Sequence, residues 1–107
     1  MHPERWRKTP TETRNLVFDL TDALATGDTV DSAVASIVSE GGTDMSLTMF
    51  DGSVASNNDT SVTQKVTAGT DNEDYGLLIT ATTTSGEVIS EALEIEVRSP
   101  LRKFNLE

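Results

Sequence analysis

The chain has 107 residues and no cysteine, with 18 acidic side chains against 8 basic ones and a formal net charge of −10. That length makes one ordinary domain with a simple, continuous core, and the absence of thiols excludes a disulfide framework and a thiolate zinc site. No run approaches the ~18 apolar residues that a membrane span needs.

Residues 1–13 contain Pro3 and Pro10 and show no hydrophobic period, which predicts an extended N-terminal arm. Trp6 lies in it among Arg5, Arg7 and Lys8. A lone Trp outside the periodic region either packs on its own domain or anchors a partner, and base rates for termini favour the first. No apolar stretch follows these basic residues, so a secretory leader is not expected. Residues 15–20 alternate, with Leu16, Phe18 and Leu20 on one face, and predict a half-buried strand. A Thr/Gly/Asp turn region around Leu24 follows.

Residues 30–38 set Ala33, Ala35 and Ile37 against Ser32, Val34 and Ser36. Asp31-Ser32 could open a helix here, but the β-branched content and the flanking Gly27 and Gly41-Gly42 favour a strand. Residues 45–50 read as a further strand, with Met45, Leu47 and Met49 opposite Ser46, Thr48 and Phe50, closed by an Asp51-Gly52 turn. Ser53-Val54-Ala55 predicts a short strand, and Asn57-Asn58-Asp59 a second turn. Residues 60–68 turn Val62, Gln64 and Val66 to one side; residues 75–84 do the same with Tyr75, Leu77, Ile79 and Ala81. After a Ser85-Gly86 hairpin turn, residues 87–98 place Leu93, Ile95 and Val97 inward and Glu94, Glu96 and Arg98 outward. Val88 and Ile89 fall on opposite faces, which predicts a bulge near Ser90 if both ends of the strand face the core.

About seven short strands spaced by turns predict an all-β fold, an immunoglobulin-like or fibronectin-III-like antiparallel sandwich over residues 14–99. Tyr75, opening the penultimate strand just before the inward Leu77, looks like the tyrosine corner of such domains, in which the hydroxyl ties the crossing loop. An ordinary core tyrosine accounts for it nearly as well. Residues 100–107 form a basic tail, and Asn105-Leu106-Glu107 at its end has the look of a cloning scar.

The charge is uneven. Residues 15–97 hold 15 acids and one base, Lys65, whereas each end carries a net +2. An acidic body repels phosphate, so nucleic acid is not an expected partner. The tails, with Arg5, Trp6, Arg7 and Lys8 at one end and Arg102 and Lys103 at the other, could meet an acidic neighbour or fold back on their own domain. Catalysis finds little support: His2 is the only histidine, and no nucleophile elbow, phosphate loop or His pair occurs. Glu94 and Glu96 share one strand face, the pattern of a solvated surface. No cofactor is expected. Calcium is the one metal that suits the acidic loops, with Asp71, Asp74 and Asp59 as candidate ligands; Asp and Asn are also default turn formers, and the spacing departs from the EF-hand loop.

Four segments carry a family likeness. They are a Pro-containing lead into Leu16-Val17-Phe18-Asp19, the turn into a strand from Leu24 to Ala33, the loop from Val66 to Tyr75, and the hairpin from Ile79 to Val88. In this order the chain, from Lys8 to Arg98, resembles small immunoglobulin-like structural proteins of tailed bacteriophages and prophages, some of the fibre–tail adaptor or head–tail region type. Members often carry Trp in the second strand; Ala35 stands there, so the core must be filled otherwise. The resemblance implies a non-enzymatic virion structural or adaptor protein. It would contact other virion proteins as a homo-oligomeric ring and be found in the virion or the bacterial cytoplasm without membrane contact. A carbohydrate- or cell-surface-binding module, stabilised by calcium, is the alternative; it would want exposed aromatic rings, of which Phe18 and Tyr75 are claimed by the core, and Phe50, if exposed, is a single ring that makes a poor platform.

Overall fold

The computed structural model describes residues 4–99. Among them are seven strands and one helical turn: β1 (Glu4–Lys8), β2 (Arg14–Asp19), β3 (Val30–Ser39), α1 (Ser46–Met49), β4 (Ser56–Asn57), β5 (Ser61–Val66), β6 (Glu73–Thr83) and β7 (Val88–Val97). They form a four-stranded sheet in the order β1-β7-β6-β3 and a three-stranded sheet in the order β2-β5-β4, packed as a sandwich. All pairings are antiparallel except β1–β7, which is parallel.

Period-2 alternation builds the core. Ile37 from β3, Val62 and Val66 from β5, Leu77, Ile79 and Ala81 from β6, and Ile95 and Val97 from β7 are all fully or almost fully buried. Removing a large aliphatic side chain of this kind from water contributes about 2 kcal/mol. Gln64 keeps the same alternation and is also buried, its Nε2 donating to the Lys65 carbonyl at 2.8 Å. The ambiguous stretch at 30–38 is a strand, paired with β6 from end to end.

Four expectations are revised. Residues 45–50 are not a strand: Asp44 Oδ1 accepts the Ser46 N–H at 2.9 Å and a helical turn follows. The turn buries the adjacent Met49 and Phe50 together, which one face of a strand cannot do, and leaves Leu47 93 % exposed. Those two side chains join the cluster against which Ala35 packs. The short strand expected at 53–55 falls at β4 instead, against β5. No bulge interrupts β7, whose register with β6 is continuous; Val88 simply faces solvent, and the shift lies in β3 between Val30 and Ser32. Finally, part of the arm expected over residues 1–13 is the edge strand β1.

Candidate interaction surfaces

The sequence of β1 alternates by chemistry. Trp6 and Lys8 turn inward, and Arg5 and Arg7 turn outward opposite Glu94 and Glu96. Arg5 pairs with Glu94 and Glu96 at 3.2 Å each, and Arg7 with Glu96 at 3.5 Å. Both guanidinium groups are well exposed, so each pair contributes only about 0.2–1 kcal/mol. Trp6 is half-buried against the core, and the Arg14 guanidinium lies 5.5 Å from its ring centre. Lys8 is 1 % exposed. Its ammonium donates to the Thr9 carbonyl at 2.7 Å and to the Ala68 carbonyl in the loop between β5 and β6. Burial lowers its pKa, and the nearby Glu12 carboxylate partly opposes that.

That loop has little freedom. Gly69 has φ +100°, and a Cβ there would come 2.8 Å from Val97 Cγ2. Farther along, Tyr75 Oη accepts the Thr70 N–H at 3.0 Å, while Leu77 lies two residues on in the core. The aromatic ring thus fills the core and its hydroxyl fastens the loop crossing between the sheets.

These contacts sort the candidate residues. Arg5 and Arg7 remain on the surface but are engaged with β7. Trp6 is partly covered. Lys8 is buried and makes both of its described hydrogen bonds inside the domain, so it is not a surface cation. Arg102 and Lys103 lie outside the described residues. The calcium candidates are not brought together. Asp71 Oδ1 accepts the Ser99 N–H at 2.7 Å, and Asp74 pairs with Arg98 at 2.9 Å. The Asp59 carbonyl accepts from Val30, which lies opposite Thr83 at the far end of β6, roughly 30 Å from Asp74 at the rise of a strand. Among the described residues no three His, Asp or Glu side chains converge on one point, and no helix is long and apolar enough to cross a membrane. Phe50, the ring a carbohydrate platform would have used, is 6 % exposed.

The outer face of the four-stranded sheet is of a different kind. Val34, Val38 and Leu78 are exposed there, and Gly76 leaves a notch of about 350 Å³ bounded by Val38, Leu78 and Ala92, with Glu40, Asp74 and Glu94 at its rim. Packing does not impose this glycine: its φ is not positive, and a Cβ would sit 3.9 Å from Val38 Cγ2, an ordinary contact. Glycine in a strand interior costs about 0.5–1 kcal/mol relative to alanine and often marks a close approach by another chain. A second cleft, of about 420 Å³, opens between the sheets, where Trp6, Leu16, Phe18 and Leu93 meet beside Arg5 and Asp19. Neither was foreseen from the sequence, although the unforced Gly76 in an alternating run was the available signal.

No curated protein matches the chain. Residues 8–96 match the family described as podophage GP4 fiber-tail adaptor protein gp77. That span runs from the last residue of β1 almost to the end of β7 and takes in both sheets. The match covers well over half of the sequence, and the chain belongs to this family of bacteriophage fiber-tail adaptor proteins.

Proposed function

We propose that this domain is a non-enzymatic virion adaptor, encoded by a phage or prophage, which joins other virion proteins through contacts of its sheet faces and edges. The observation that carries the reading is the family match over residues 8–96. The exposed valines and leucine beside the Gly76 notch supply apolar contact area, and the acidic rim supplies orientation. The strand order, with a first strand parallel to the last beside β6 and β3 and a second sheet β2-β5-β4, supports an immunoglobulin-like arrangement. A symmetric ring of copies is the natural assembly for a connector, because each copy then repeats the same contacts. Mass spectrometry of purified particles tests the reading: the chain is expected at a fixed copy number, and its absence would refute a virion role.

A further inference from the structure

The two edges of the four-stranded sheet are finished differently, and along its middle the β3 edge has no main-chain partner among the described residues. At one end Val30 donates to Asp59 O at 2.9 Å and its carbonyl accepts from Asn57 Nδ2 at 3.3 Å. At the other, Ile37 O accepts from Met45 at 2.8 Å and Ser39 donates to Thr43 O at 2.9 Å. The main-chain groups of residues 37 and 39 therefore point away from β6. Strand groups alternate sides, so those of Ala33 and Ala35 and the Ile37 N–H point the same way, where no described strand pairs with them. This stretch carries no Lys, Arg or Pro of the kind that usually blunts an edge. Its outward side chains are Ser32, Val34 and Ser36, with Val34 66 % exposed.

We propose that the β3 edge, from Ala33 to Ile37, is a docking site that takes an extended, basic-flanked segment of another virion protein as an added strand. Backbone groups supply the pairing, and alternate apolar side chains of the segment lie beside Val34 and Val38 on the outer face. The charge of the segment follows from its surroundings: Asp31 and Asp59 lie at one end of the open stretch, Glu40 and Asp44 at the other, and the only base from residue 15 to 97 is Lys65. Lys65 lies on β5, in the other sheet. This inference rests on the adaptor reading and names how one of its partners would be held.

The test uses the full chain and a capped synthetic peptide, Lys-Thr-Val-Thr-Val-Thr-Lys, with a Glu-flanked twin. Amide exchange at Ala33, Ala35 and Ile37 is expected to slow roughly tenfold or more with the Lys peptide, and little with the Glu peptide. Ala35→Pro, which deletes an outward N–H, and Val34→Lys, which changes only an exposed side chain, are expected to abolish the slowing. No slowing, slowing at β1 instead, equal slowing by both peptides, or protection arising from self-association of the chain alone would each overturn the proposal. Particles separate the two readings. Virions that hold Val34→Lys and Ala35→Pro chains at wild-type copy number would overturn the edge proposal and leave the adaptor role standing, whereas a wild-type chain missing from virions would overturn the role itself.

Discussion

The β1 and β3 edges of one sheet solve opposite problems. β1 is five residues long, carries Arg5 and Arg7 outward and is fastened by Lys8 to the loop that crosses between the sheets. β3 is ten residues long and, in its middle, presents Ser, Val and Ala with no cation. The first edge is closed chemically; the second is closed only at its ends. Substitutions along β1 and its loop should therefore cost stability, whereas changes on the outer side of β3 should cost binding and leave melting unchanged.

The largest loss is expected where the loop under Lys8 has no room. Gly69→Ala puts a Cβ 2.8 Å from Val97 Cγ2 at a φ of +100°. About 3 kcal/mol should go, from left-handed strain and overpacking together, read as a drop in denaturant midpoint. Lys8→Met comes next: it keeps much of the buried stem but leaves the Thr9 and Ala68 carbonyls without their donor. About 1–3 kcal/mol is expected, and a variant as stable as wild type would show that Lys8 does not secure this edge. Arg5→Ala with Arg7→Ala removes three exposed pairs and should cost about 1 kcal/mol, and the difference should shrink further as salt is raised.

The mildest effect concerns the end of the sandwich where β3 begins. Asp28 accepts from Ser85 Oγ at 2.6 Å and from the Thr29 N–H at 2.9 Å, joining the turn before β3 to the β6–β7 hairpin. The Ser85 hydroxyl, with smaller help from Thr83 and backbone N–H groups, holds its carboxyl below the ordinary range. A carboxylate depressed in the folded state adds stability above its unfolded pKa, and that contribution fades as pH falls through the folded value. Stability of the wild type should thus fall slightly more steeply on acidification than that of Asp28→Asn, and parallel acid titrations would remove Asp28 from this role.

Five strands were legible because one rule, alternation with β-branched residues, governs both their local conformation and their burial. Val62, Gln64 and Val66 on β5, and Tyr75 through Ala81 on β6, sit on the face that the pattern assigns them. Where local pattern and tertiary demand part, the reading fails. Met45 to Phe50 alternates as a strand would, yet Met45 and Met49 are also one helical turn apart, and the Met49 N–H donates to the Met45 carbonyl at 2.8 Å just after Asp44 has turned the chain through its bond to the Ser46 N–H. β1 is invisible locally because its partner lies 89 residues away, from Glu4 to Leu93. The matching Arg-x-Arg and Glu-x-Glu spacing was its one trace. Of the candidate surface, Arg5 and Arg7 could be named from charge alone, but the notch at Gly76 and the open edge of β3 depend on which strands end up as neighbours.

The parallel clasp between β1 and β7 has a mechanical consequence. Glu4 lies beside Leu93, and Lys8 beside Val97, so tension applied at Glu4 and Ser99 would drag two adjoining strands past each other lengthwise. The evenly spaced rungs of a parallel ladder then share the load rather than tearing open one at a time.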